Sequence, residues 1–296
     1  METVWGIDLG GTKIEGVILP VGSSEPVYRA RIDTEASKGY RHILDRIALL
    51  VSTMESASGM KRPTVIGIGT PGAEEPATGL MKNCNTTALN GMPMPRDLAE
   101  KLGTRAIVAN DANCFALAEA TLGAAKGAGV VFGVIMGTGV GGGIVIHGQV
   151  LNGGQGIAGE WGHNELIEGG ELCYCGKRGC VETVLAGPSL QRFYKSLTGE
   201  QKSLKEIVQE ADSDSAAKAT LERLIDLFGK GLSVVINILD PDVIVLGGGV
   251  GNIDLLYTQG VKSVEKYVFN TQLRTKIVKP LLGDSAGVFG AAMLAR

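Results

Sequence analysis

The densest chemistry in this sequence lies in Cys173-Tyr174-Cys175-Gly176-Lys177-Arg178-Gly179-Cys180, which sets three thiols within eight residues. His163 lies ten residues upstream of Cys173 and is one of three histidines in the chain. Three sulfurs and one imidazole nitrogen complete a tetrahedral structural zinc site, so His163, Cys173, Cys175 and Cys180 are the expected ligands. The C-x-C spacing is tighter than in common zinc fingers. A disulfide would need an oxidising compartment and would leave one of these thiols unpaired. Of the other cysteines, Cys114 falls in a helical, core-like pattern and Cys84 in a polar loop. His42 and His147 read as surface residues.

Glycine supplies the second kind of chemistry. The chain has 44 glycines, and they cluster in apolar contexts rather than in serine-rich linkers. Without a Cβ, a glycine turn lets backbone N–H groups approach phosphate oxygens closely. Asp8-Leu9-Gly10-Gly11-Thr12-Lys13 has the parts for this. Gly10, Gly11 and Thr12 offer donors, Lys13 a cation, and the Asp8 carboxylate a seat for a magnesium ion, reached through water. A plain hairpin turn with a surface aspartate is the competing reading of these six residues. A second turn at 137–143, opening Gly137-Thr138-Gly139, and a third at Gly247-Gly248-Gly249 favour nucleotide binding. Two stretches match G-x-G-x-x-G, at 67–72 and 137–142, but neither opens a helix as a dinucleotide fingerprint requires. The P-loop pattern is absent. The third turn leads from strand to helix, so a helix N-terminus is expected to face phosphate or adenosine there.

Asn110-Asp111-Ala112-Asn113 begins a helical pattern. Asp111 reads either as an N-cap or as a catalytic base. At a helix N-terminus its anion should be stabilised and its pKa lowered, which makes a weak base. A weak base still serves a reaction in which proton removal is late.

The elements that must position these groups alternate between strand and helix, which implies an α/β protein of two lobes. Short apolar runs at 4–9, 14–19, 65–69, 106–108, 130–136, 144–146 and 242–246 read as strands. Helical spacing appears at 38–54, 95–102, 111–122, 221–238, 255–268 and 285–294. The strand, glycine turn, strand layout of the N-terminus recurs around 130–146, a weak internal duplication. With 296 residues, 44% of them hydrophobic, the chain has material for a large core without disulfide staples. A formal net charge of −3 and the lack of a basic run argue against nucleic acid as the main partner. No secretory signal and no membrane-length apolar run is visible, so a cytoplasmic protein is expected.

Taken together, these motifs resemble the ROK family (repressors, open reading frames, sugar kinases). The likeness takes in residues 8–13, Asn110-Asp111-Ala112-Asn113, 137–143, Glu160-Trp161-Gly162-His163, the cysteine motif with its trailing Glu182, and Gly247-Gly248-Gly249. It implies a two-lobed, actin-like (ribonuclease-H-like) ATPase fold with an active-site cleft between the lobes. Residues 1–110 with 284–296 would form the N-terminal lobe and 111–283 the C-terminal lobe. It also implies an ATP-dependent kinase that transfers the γ-phosphate to a hexose 6-hydroxyl, with ATP, Mg²⁺ and structural Zn²⁺. Asp111 would be the catalytic base, and Asn110, Glu160, His163 and Glu182 would hold sugar hydroxyls, with Gly72, Asn83 and Asn85 beside them. Several loops, such as Lys82-Asn83-Cys84-Asn85-Thr86 and Asn237-Ile238-Leu239-Asp240-Pro241-Asp242, look most like bacterial fructokinases of the manno(fructo)kinase type. That favours fructose, with mannose next and glucose or an N-acetylated hexosamine as alternatives. Family repressors carry an extra N-terminal DNA-binding region, for which the seven residues before Asp8 leave no room. The family often dimerises, but no stripe in this sequence marks an interface.

Overall fold

The computed structural model describes residues 2–296. Its strands are β1 (Thr3–Leu9), β2 (Lys13–Pro20), β3 (Tyr28–Asp33), β4 (Val65–Thr70), β5 (Ala73–Glu75), β6 (Leu80–Lys82), β7 (Arg105–Asn110), β8 (Val130–Met136), β9 (Val140–Ile146), β10 (Gln149–Val150), β11 (Val243–Gly247) and β12 (Lys276–Val278). The helices are α1 (Tyr40–Ser58), α2 (Met94–Leu102), α3 (Asp111–Thr121), α4 (Glu182–Leu185), α5 (Gly187–Thr198), α6 (Leu204–Gln209), α7 (Ser215–Leu239), α8 (Gly248–Gly251), α9 (Gln259–Tyr267) and α10 (Ala286–Met293). Among the described residues no helix is long and apolar enough to cross a membrane.

Two compact units emerge. The first comprises Met1–Gly127, Gly143–Ala158 and Leu281–Arg296, and the second Ala128–Gly142 and Gly159–Pro280. The first unit thus runs past the expected boundary at residue 110 to take in α3, which packs on α10, and it also takes in residues 143–158.

The first unit is built on a sheet of order β3-β2-β1-β4-β7. β1, β2 and β3 pair antiparallel, whereas β1, β4 and β7 run parallel. The central strands are near-continuous apolar runs (Trp5, Ile7 and Leu9; Ile66 and Ile68) because both sheet faces are covered. One face takes α1, whose buried Ile43, Ile47, Leu50, Val51 and Met54 recur at helical spacing. The other takes α10, and glycine makes that approach possible. Gly6 and Gly67 pair across β1 and β4. A Cβ on Gly67 would lie 1.8 Å from the Ala291 carbonyl oxygen, and one on Gly6 2.3 Å from the Ala292 nitrogen. The chain re-enters this unit at Leu281, where buried Glu119 at the end of α3 accepts the backbone N–H groups of Leu281 (3.1 Å), Leu282 (2.9 Å) and Ala124 (2.8 Å).

The second sheet has the order β10-β9-β8-β11-β12, and in the second unit its fully buried β11 lies parallel to β8 and β12. The long helix α7 starts at Asp214, whose carboxylate accepts from the N–H groups of Ala216 and Ala217. Trp161 donates its indole N–H to the Gly231 carbonyl of α7 at 3.2 Å and meets Phe132 edge-to-face.

Three details depart from the sequence reading. β9 begins at Val140, inside the glycine run, because backbone pairing tolerates the glycines there. The residues after the third glycine turn do not form one helix: α8 is a single turn, Asp254–Tyr257 is a 3-10 segment, and α9 starts only at Gln259. Finally, the N-cap of α3 is Asn110, whose side chain accepts from the Asn113 N–H, and Asp111 is the first helical residue.

Candidate functional site

Three parallel strands of the first unit carry the acidic and amide groups to one edge. Asp8 near the end of β1 is in register with Gly69 of β4, and Thr70 of β4 with Asn110 of β7. The carboxyl ends of parallel strands are where open α/β sheets bind ligands. The turn after Asp8 is locked by its own backbone: Gly10 N–H donates to the Lys13 carbonyl at 2.9 Å, Thr34 N–H to the Thr12 carbonyl at 2.8 Å, and the Thr34 hydroxyl to the Gly10 carbonyl at 2.7 Å. Gly11, Thr12 and Lys13 are thereby left exposed on a fixed hairpin.

Asp8 lies between two glycines. A Cβ on Gly69 would be 3.3 Å from its Oδ1, and one on Gly287 of α10 3.1 Å from its Oδ2. Burial, then the negative charges of Asp111 and Glu15, push the Asp8 pKa up to about 6, against a smaller lowering by Arg31. Glu15, opposite Asp8 on β2, is ion-paired with Arg29 and Arg31. Burial raises its pKa, but those bonds outweigh it and hold it below the usual range.

Asp111 corrects the sequence reading. Its residue surface is exposed as a whole, yet its carboxyl sits amid dense protein. Desolvation raises its pKa and outweighs the backbone N–H groups, Ala112 at 2.8 Å among them, that pull it down. The pKa therefore moves toward that of a working base rather than away from it. Asn110 has committed its side-chain oxygen to the Asn113 N–H at 2.7 Å, so its amide nitrogen is the group left to donate to a ligand.

Gly72 and Asn83 meet in one loop. A Cβ on buried Gly72 would fall 2.5 Å from Cys84 Sγ and 2.6 Å from the Lys82 carbonyl oxygen. Asn83 stands exposed with a positive φ of 56°, and the Asn90 side chain bonds the Cys84 backbone on both sides. Buried Cys84 is thus a packing residue, its thiol pushed up to about 11 by burial.

The second unit brings the cysteine motif together. The ligand atoms of His163, Cys173, Cys175 and Cys180 all lie within 4.8 Å of one another. His163 Nδ1 is 3.6 Å from Cys173 Sγ, and Cys175 Sγ is 3.7 Å from Cys180 Sγ. A tetrahedron with metal–sulfur bonds of about 2.3 Å and metal–nitrogen bonds of about 2.05 Å has S···S edges of about 3.8 Å and S···N edges of about 3.6 Å. The donor set and its spacing fit a zinc ion. The loop closes tightly because Gly179 takes a φ of 67° and lies where a Cβ would be 1.7 Å from the Ile167 carbonyl oxygen. The outer nitrogen of His163, Nε2, is 3.0 Å from the Tyr174 hydroxyl. Glu160 immediately precedes the 3-10 turn Trp161–His163, and its carbonyl accepts the His163 N–H at 3.2 Å.

The second and third glycine turns share one end of the second sheet. Gly247 is in register with Ile135 near the end of β8, and a Cβ on Gly248 would be 2.4 Å from the Met136 carbonyl oxygen. Thr138, Gly248 and Gly249 are exposed there. Because α8 is one turn long, the third turn lacks the strong helix N-terminus that the sequence suggested. Glu182, expected to hold a sugar hydroxyl, accepts the Val140 N–H at 3.0 Å. Sequence reasoning missed Thr34, Glu15, Gly69 and Gly287. Their parts depend on which strands and helices become neighbours, and no local pattern announces that.

Residues 4–296 match the model of the ROK family, and the chain belongs to that family. Its α/β units have the actin-like ATPase fold. An N-acetyl-D-glucosamine kinase from Vibrio cholerae serotype O1 (strain ATCC 39315 / El Tor Inaba N16961) is 37% identical over 301 residues, covering 98% of each chain. Among solved structures, a ROK hexokinase from Thermus thermophilus aligns with a TM-score of 0.89 at 32% identity, over 99% of this chain and 98% of that one. A ROK family glucokinase from Streptomyces griseus, in complex with glucose and AMPPNP, aligns with a TM-score of 0.78 at 27% identity, over 100% of this chain and 99% of that one.

Proposed function

We propose that this protein is an ATP-dependent hexose kinase whose substrate is N-acetyl-D-glucosamine, phosphorylated on its 6-hydroxyl. The observation that carries the sugar is the end-to-end likeness to an N-acetyl-D-glucosamine kinase. The loops that resemble fructokinases cover a few short stretches, and the full-length relatives favour the acetylated sugar over fructose.

In this reading Asp111 takes the proton of the 6-hydroxyl as that oxygen attacks the γ-phosphorus of ATP. Its raised pKa suits the task, since a base nearer the working pH accepts a proton more readily. Asn110, Glu160, His163 and Glu182 orient the sugar, with Gly72 and Asn83 shaping the loop beside it. The hairpin Gly10 to Lys13 and the turns Gly137-Thr138-Gly139 and Gly247-Gly248-Gly249 hold nucleotide phosphates and adenosine through backbone N–H groups. Asp8 would hold magnesium, which offsets charge on the phosphates, and its crowding by Asp111 and Glu15 is what such a cation relieves. His163, Cys173, Cys175 and Cys180 would hold a zinc ion, which would fix the loop rather than take part in the chemistry.

The test is MgATP-dependent ADP release with N-acetylglucosamine, N-acetylmannosamine, glucose, mannose and fructose. The highest kcat/KM is expected with N-acetylglucosamine. A preference for fructose or glucose would overturn the sugar assignment but keep the kinase, and no turnover with any of them would overturn both.

A further inference from the structure

Glu182 follows the last cluster cysteine by two residues and opens α4, yet its carboxylate reaches back to the second glycine turn. Oε2 accepts the Val140 N–H at 3.0 Å. It also fills the space beside Gly139, where a Cβ would come within 2.5 Å of it. The other oxygen, Oε1, is 3.8 Å from Cys173 Sγ. The same segment grips the front of the turn as well, since Gly187 N–H donates to the Gly137 carbonyl at 2.9 Å. Residues 180–187 therefore hold both ends of Gly137-Thr138-Gly139.

A carboxylate beside a turn that receives phosphate repels the ligand, so its presence needs a compensating function. A charge-assisted bond to Val140 N–H fixes the exit of the turn, and such bonds are about twice as strong as neutral ones. We infer that Glu182 is a positioning residue for the nucleotide: it holds the Gly137–Gly139 turn in its phosphate-binding shape and ties that turn to the cysteine–histidine loop. The inference rests on the kinase reading, and it adds to the sugar contact assigned to Glu182 by resemblance.

The experiment measures nucleotide binding without sugar, by competition of ATP against a fluorescent ATP analogue on the metal-replete protein. Glu182→Gln keeps a carbonyl acceptor for Val140 and should bind within about twofold of wild type. Glu182→Ala loses the bond and should bind about five- to tenfold more weakly. Glu182→Asp keeps the charge but is one methylene too short, so it should weaken binding as Ala does, and it carries the test if the Ala variant does not fold. Wild-type affinity in the folded Ala and Asp variants, with only sugar affinity lowered, would overturn the inference. Failure of the wild type to bind nucleotide would overturn the kinase reading itself.

Discussion

Replacing Asp8 with asparagine should expose how much folding stability the candidate cation site gives up. The native carboxyl titrates at about 6 against an ordinary 3.8. A gap of about 2 units corresponds to about 3 kcal/mol between the ionised and neutral forms. Below pH 3.8 the carboxyl is protonated in both folded and unfolded chains, and ionisation costs nothing. As pH rises from there to about 6, the unfolded chain releases its proton first, so the wild type loses stability; above about 6 the full loss persists. Asparagine does not titrate. The stability difference between Asp8→Asn and wild type should thus climb by about 3 kcal/mol in favour of the variant between about pH 4 and pH 7. Any packing cost of the amide shifts this curve without changing its slope. The assay is urea unfolding in magnesium-free buffer, followed by tryptophan fluorescence, with buried Trp5 on the same strand as a reporter. Parallel pH–stability curves for the two proteins would refute the reasoning. MgATP affinity should fall at least about tenfold in the variant, so the group that weakens the fold is the one that function retains.

Asp111→Asn should lower kcat by about 10²- to 10⁴-fold while nucleotide and sugar still bind, and wild-type turnover in folded variant would remove Asp111 from the chemistry. Metal removal by a chelator should release one zinc per chain, read by emission spectrometry, and raise sugar KM more than it lowers kcat; an unchanged KM would separate the loop from the sugar. Gly72→Ala should cost about 1–3 kcal/mol in urea unfolding, because its Cβ overlaps Cys84 and Lys82, and should raise sugar KM as the Asn83 loop moves. Full stability of that variant would show that the loop yields freely.

Much of this architecture can be read along the chain. The strand patterns around Ile7, Ile68 and Val245, the helix with Ile43, Ile47 and Leu50, and the glycine hairpin after Asp8 all carry local periodicity or turn chemistry. The cysteine spacing foretold a cluster that folding does assemble. What stayed hidden was set by neighbours from distant parts of the chain. β3 alternates exposed and half-buried residues at a sheet edge, which gives a weak pattern. The sequence placed Asp111 by the helix dipole alone and expected a lowered pKa, whereas desolvation by the surrounding fold decides the direction. That Glu182 also reaches the second glycine turn stayed hidden, because nothing local shows that β9 passes beside it.

The packing of α10 against Gly6 and Gly67 bears on how the protein is made. The sheet of the first unit needs a covering helix at 286–293, yet all of the second unit is translated in between. Until α10 leaves the ribosome, β1 and β4 present a bare apolar face with two glycines on it. The nascent N-terminal sheet is then an aggregation-prone surface that persists through most of synthesis. A stalled or truncated chain ending before α10 should therefore be caught by chaperones or proteases rather than accumulate as a half-molecule.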